Sequence, residues 1–203
     1  MYGRLKIERE LIQLVLMKRE YLISLFILLF SSPLCAATYY VNASSGNNAN
    51  SGTAPGSAWK SLTYAATTGA GANTISVAPG TYNSINGEIF PIMIGSGMTF
   101  TAPLTGQATI DAGSYFYDIV SMESDSTLDG FRVVTYATFG TPVCVRIYGD
   151  RVHLSNNRLD NYWNSAYAIY CSGNGGTVEG STITADRGAF ISGNAPDIRS
   201  NKI

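Results

Sequence analysis

Few residues in this chain have a type and spacing suited to chemistry. Its one histidine, His153, stands between Arg151 and Ser155 on an outward position beside Leu154. No cysteine or second histidine accompanies it, so neither a zinc set nor a histidine-activated nucleophile is formed, and a surface placement is the plainer reading. Carboxylates come next. Calcium-assisted elimination beside a uronate carboxyl needs clustered carboxylates and a Lys or Arg as base, and glycoside hydrolysis needs two facing carboxyl groups. Asp160, Asp186 and Arg187 are expected to come together after the first strand of their repeats, but no catalytic pair falls in register. The catalytic residues therefore stay unassigned, no metal ligand set is formed, and calcium has no clear site. Aromatic residues give the stronger signal. Tyr136 and Phe139, then Tyr162 and Trp163, then Asp186 and Arg187 occupy successive loops of varying length. Flat aromatic faces suit the apolar faces of sugar rings, and Asp160, Asn161 and Asn164 offer hydrogen bonds to hydroxyls. Tyr136, Tyr162, Trp163, Asp160, Asp186 and Arg187 are thus the expected ligand contacts, and polysaccharide is the expected ligand.

Such loops need a regular scaffold, and the chain repeats itself. Residues 168–183 and 188–203 superpose at an offset of 20, with Ser172-Gly173-Asn174 over Ser192-Gly193-Asn194 and Val178 over Ile198. Stepping back by 24 sets Val145, Ile147, Gly149, Leu154 and Leu159 over Ile169, Cys171, Gly173, Val178 and Ile183. A further step of 26 brings Ile119, Leu128 and Val133 into the same columns. Each unit holds short β-prone pieces broken by Gly, Asn and Ser. It can bury its apolar face only if the next unit stacks on it at about 4.8 Å. A leucine-rich repeat shares the period but carries more Leu and a longer helical side. The period therefore predicts an all-β chain coiled as a right-handed parallel β-helix. The same columns align Asp129, Ser155, Glu179 and Arg199 in one outward ladder, read as a solvated charge ladder.

The residues before the repeats have their own order. Tyr39 to Val41 is β-prone, residues 46–53 are turn-rich, and Ser57 to Thr67 carries Trp59, Leu62, Ala65 and Ala66 at helical spacing with Ser57 as N-cap. That short helix is expected to cover the open first coil. Thr74 to Ala78 reads as a strand stopped at Pro79-Gly80, and residues 87–94 lead into a further strand at 98–102. Tyr40-Val41, residues 46–53, Trp59-Lys60-Ser61-Leu62, Thr74-Ile75-Ser76-Val77, Pro79-Gly80-Thr81-Tyr82, Gly87-Glu88, Phe90-Pro91-Ile92 and Ala108 to Ala112 carry a resemblance. In that order they resemble the N-terminal module of secreted pectate-lyase-like β-helix proteins, a domain family of unknown function. The resemblance implies a pectin-lyase-like solenoid. Asn48 stands where the family usually has Asp, which puts any metal role for that turn in doubt.

Export is expected from Met17-Lys18-Arg19, the apolar run Tyr21 to Phe30 and the small-residue end Ser31 to Ala37. This is the order of a secretory signal peptide, and its apolar run has about half the roughly 20 residues a membrane span requires. Cleavage is expected between Ala37 and Thr38, with Met17 as the natural start. The expected organisation is 1–37 as extension and signal, 38–112 as the N-terminal β-helix module, and 113–203 as coils left incomplete at the C-terminus, where an open last coil would promote self-association. A secreted, periplasmic or cell-surface location follows, with no membrane span once the signal is removed. From Thr38 onward eight Lys and Arg stand against eleven Asp and Glu, a balance of −3 that gives no footprint for nucleic acid. Cys144 and Cys171 are the cysteines left after the signal; strict alternation points Cys171 inward and Cys144 outward, so they are expected to stay unbridged. Polysaccharide binding is the leading function. A truncated polysaccharide lyase or glycoside hydrolase, and a cell-surface or adhesion spacer, are its rivals.

Overall fold

In the computed structural model, Thr38–Val41 (β1) pairs in parallel with Thr74–Val77 (β2), and from β2 the chain coils. Residues described are 13, 16–18, 36–71, 73–103, 105–194 and 196–202. The segment 19–35, on which most of the expected signal peptide falls, lies outside them, and Ala36–Ile203 forms one unit by itself. After β2 come Gly80–Tyr82 (β3) and Ile92–Ile94 (β4), then Thr99–Thr101 (β5), Ala108–Asp111 (β6) and Asp118–Met122 (β7). The pattern repeats with Thr127–Asp129 (β8), Phe131–Thr135 (β9) and Val143–Ile147 (β10), and with His153–Ser155 (β11), Arg158–Asn161 (β12) and Ile169–Cys171 (β13). Thr177–Glu179 (β14), Thr182–Thr184 (β15), Ala189–Ile191 (β16) and Asp197–Arg199 (β17) complete the described strands. They stack into three parallel sheets. Sheet I is β1-β2-β5-β8-β11-β14-β17, sheet II is β3-β6-β9-β12-β15, and sheet III is β4-β7-β10-β13-β16. Right-handed crossovers between parallel strands make this a right-handed parallel β-helix.

Apolar columns run through the centre. Ile75, Phe100, Leu128, Leu154 and Val178 are in register along sheet I, and Tyr82, Ile110, Val133, Leu159 and Ile183 along sheet II. All ten are buried. Full burial of such a side chain contributes about 1.5–3 kcal/mol, which offsets the entropy of ordering strands only three to five residues long. The corners are set by backbone conformation. Gly130, Asn156, Gly180 and Ser200 occupy equivalent positions between sheets I and II with φ of 83°, 54°, 59° and 56°. Next to them Asn157 is 2% exposed; it accepts from Phe131 N and donates to the Leu128 carbonyl, tying one coil to the next. After sheet III, a Cβ on Gly173 would run into the Gly149 carbonyl of the preceding coil, which explains the recurring Ser-Gly-Asn.

The open side of the first coils is covered by Leu62–Thr68 (α1), which packs on β4 and β1. The helix starts later than the periodicity predicts. Its N-cap is Ser61, whose Oγ accepts from Tyr64 N; Ser57 instead closes a single 3₁₀ turn, Pro55–Ser57. Trp59 is not helical, because its N–H donates to Tyr40 O and its carbonyl accepts from Asn42 N, an isolated parallel bridge beside β1. Its ring is 2% exposed, stacked on Tyr39 at 4.7 Å, with Nε1 donating to Asn50 O. Asn48 holds this turn to the helix by accepting from Lys60 N and Ser61 N and donating to Ser61 Oγ.

Two expectations fail at the start of β7 and β10. Val145 pairs with Val120 and not with Ile119, and Cys144 is fully buried in the core instead of facing out. Both strands carry two consecutive core residues there, Ile119-Val120 and Cys144-Val145, so alternation breaks locally as it does at a bulge. Val143 takes the outer position that parity assigns to Cys144. Both thiols are buried and free.

Candidate functional site

The connections from sheet II to sheet III, at 83–91, 112–117, 136–142, 162–168 and 185–188, form one edge of the solenoid. Aromatic residues accumulate on it because successive loops start from the same register. Thr135 pairs with Asn161, so the next residues, Tyr136 and Tyr162, stand one above the other, with ring centroids 5.2 Å apart and planes at 3°. Both are about half exposed. Further along the edge Phe116 packs on Tyr117 at 4.4 Å and on Phe139 at 4.5 Å.

Beside this edge, on the outer face of sheet III, lies a cleft of about 500 Å³. Val143, Arg146, Trp163, Tyr167, Tyr170 and Arg187 are among its walls. Its floor follows from pairing: Arg146 is in register with Tyr170, and Tyr170 with Phe190. The Arg146 guanidinium lies 4.2 Å from the Tyr170 centroid, and Tyr170 stacks on Phe190 at 4.7 Å. Asp118 accepts from Arg146 Nε at 2.5 Å and fixes that guanidinium over the ring. The far wall is Tyr167, whose ring carries the Arg187 guanidinium at 5.7 Å. Aromatic rings and guanidinium groups meeting in one concave surface suit a ligand with both flat apolar faces and polar edges.

The residues expected to contact ligand are divided by the structure. Trp163 and Arg187 line the cleft, whereas Tyr136 and Tyr162 form their stack outside its lining. Asp186 accepts from Ser165 N at 2.8 Å and so shapes the 162–168 loop. Asp160 is fully buried, held by Arg132 Nε at 2.7 Å and Arg158 Nε at 2.9 Å. Those two arginines are in register with each other and close over the carboxylate, and the Asp160 partner holds the Arg132 guanidinium above its ordinary pKa. Asp160, Asp186 and Arg187 therefore each have a different partner and do not form one cluster. Sequence reasoning does not single out Arg146, Tyr167, Tyr170 and Asp118. The offsets of 24 and 20 that align the core also align Arg146, Tyr170 and Phe190, so the same arithmetic applied to outward positions would have found the floor.

The charge ladder on sheet I lies in the expected register. Ser155 Oγ and Thr101 Oγ1 donate to Asp129, and Arg199 Nε donates to Glu179 at 2.8 Å. Among the described residues no group of three His, Cys, Asp or Glu is placed to hold a metal ion, and no helix is long and apolar enough to cross a membrane.

Three stacked parallel sheets around one core, with an aromatic edge, define a pectin-lyase-like β-helix. The chain belongs to the family described as a protein of unknown function (DUF1565), whose model matches residues 44–203. Among solved structures it is similar to a rhamnogalacturonan lyase, with a TM-score of 0.50 and 16% sequence identity, over 82% of this chain and 56% of that one. The likeness shows the fold, and this chain spans 56% of that lyase's length. No curated protein sequence matches.

Proposed function

We propose that this chain is an exported polysaccharide-binding β-helix protein and that the cleft on sheet III is its binding site. One observation carries the reading. Trp163, Tyr167 and Tyr170 line a single cleft of about 500 Å³ beside two guanidinium groups, on a scaffold whose coils repeat at the spacing of stacked strands. Tyr136 and Tyr162 extend the aromatic surface beyond the cleft and would meet a chain longer than one or two sugars. Export supports the same reading, since polymeric sugars are met outside the cytoplasm, and the signal-like order from Met17 to Ala37 motivates it. The lyase alternative has fold likeness behind it.

Affinity electrophoresis of the protein through gels containing individual neutral and charged polysaccharides tests the reading. At least one polymer should retard the wild type, and Trp163→Ala should restore most of the mobility. Equal mobility in every gel would overturn the proposal.

A further inference from the structure

From Thr38 onward the chain has six arginines, and five of them are ion-paired. Arg132 and Arg158 share Asp160, Arg146 holds Asp118, Arg151 holds Asp125, and Arg199 holds Glu179 and Asp197. Arg187 differs. Among the described residues no carboxylate lies within ion-pair distance of it, and its guanidinium rests on the Tyr167 ring in the cleft wall. Its neighbour Asp186 does not serve it, because that carboxylate is turned to Ser165 N. A chain that carries three more acids than bases from Thr38 onward, and pairs every other arginine with a carboxylate, thus leaves one guanidinium without a carboxylate partner among the described residues at the site where the aromatic rings converge.

We infer that Arg187 is an anion receptor, and that the cleft takes a sugar ring bearing an oxyanion substituent, a carboxylate or a sulfate ester. This rests on the polysaccharide reading and names the substrate class for it. The geometry divides the work. Trp163 and Tyr167 line walls that a sugar ring can meet, while Tyr170, whose two faces are taken by Arg146 and Phe190, adds its edge to the floor. Arg146 is already neutralised by Asp118, so it shapes the floor without adding net charge. Arg187 supplies the positive charge, and a guanidinium lying on an aromatic ring still has its in-plane N–H groups free to fork onto two oxygens. The net charge of −3 from Thr38 onward gives a polyanion no long-range attraction, so recognition must be local and depend on the charge of the substituent.

The test uses the full chain and Trp163 fluorescence, with Trp59 buried as an internal reference. Three probes are titrated at low salt: a mannuronate trimer, its methyl ester, and a sulfated galactan oligosaccharide of similar length. A neutral cello-oligosaccharide serves as a fourth arm. The acid trimer or the sulfated chain should bind about tenfold more tightly than the methyl ester, the scale of one charge-assisted contact. Whether one or both do so tells carboxylate from sulfate. Arg187→Gln should bring the charged probe down to the level of the ester, and Arg187→Lys should keep part of the preference. Thermal melts check that each variant is folded. Binding of both charged probes no tighter than the ester, or a preference that survives Arg187→Gln, would overturn the inference. Binding of only the neutral probes would sink it while leaving the polysaccharide reading intact. Failure of all four probes together with unretarded mobility in every polysaccharide gel would remove both.

Discussion

The Arg146 guanidinium carbon lies 4.2 Å above the ring centroid of Tyr170, one coil further along the solenoid and in register with it. A repeat with a core role thereby builds a cation–aromatic floor on the opposite face of the same sheet.

The first prediction follows from that floor. Removing either aromatic wall, by Tyr170→Ala or Trp163→Ala, should weaken polysaccharide binding by about 1–2 kcal/mol, or roughly five- to thirtyfold. Tyr117→Ala, an exposed aromatic outside the cleft lining, should leave affinity within a factor of two. Isothermal titration with the polymer that retards the protein in gels checks this, and equal losses at all three positions would point to a diffuse aromatic surface instead.

Covering of the first coils depends on Trp59. It is buried, stacked on Tyr39 and hydrogen-bonded to Asn50 O, so Trp59→Ala should cost about 3–5 kcal/mol in urea unfolding. A loss below 1 kcal/mol would mean that the turn at 46–53 and α1 hold without it.

Glu88 gives a pH signature. It is 4% exposed and its carboxylate accepts from Leu62 N, Thr63 N and Thr63 Oγ1, fastening the start of α1 to a residue 26 positions away. Burial pushes its carboxyl above the ordinary 4.5, opposed in part by the Thr63 and Leu62 hydrogen bonds. A carboxyl raised in the folded state contributes stability that is fully present below the unfolded pKa and is lost as pH rises through the folded one. The stability difference between wild type and Glu88→Gln should therefore shrink as pH rises from below 4.5 toward neutrality, and a difference that grows with pH would contradict this.

Cysteine reactivity reports the break in alternation. Burial pushes the Cys144 thiol far above its usual range and raises Cys171 as well. Neither should react with iodoacetamide in the native state, and both should be labelled after denaturation without reductant. Rapid native labelling of Cys144 alone would restore the outward orientation that parity suggests.

Much of the scaffold could be read from the residues, and the reason is physical. Leu128, Leu154 and Val178 must stack to be buried, so their spacing is constrained coil by coil, and so are Gly149 and Gly173, where the backbone of the preceding coil passes too close for a side chain. Periodicity alone starts the helix too early because Trp59 satisfies a helical spacing and a strand bridge equally well, and only the backbone partners at Tyr40 and Asn42 decide between them. Asp160 is expected from sequence to offer hydrogen bonds to a ligand, but Arg132 and Arg158 on adjacent coils close over it. The cleft itself is a product of tertiary register, since Arg146, Trp163, Tyr170 and Arg187 come from three separate coils, and of the four only Trp163 and Arg187 stand out in the sequence.

Export is tested at the N-terminus of protein recovered outside the cell, which should begin at Thr38. A cut there leaves all four β1–β2 pairs from Thr38 to Val41 and removes the hydrogen bonds that Ala37 makes with Asn73 and Thr74. Recovered protein that still contains Leu22 to Phe30 would contradict the signal reading.

Hydroxyl-radical footprinting with and without bound polysaccharide reaches the central claim most directly. The account predicts that Trp163, Tyr167 and Tyr170 become protected together while Tyr117 and Tyr148 do not. Protection confined to Tyr117 and Phe139, with Trp163 and Tyr170 unchanged at saturating ligand, would place the ligand elsewhere on the edge and contradict it.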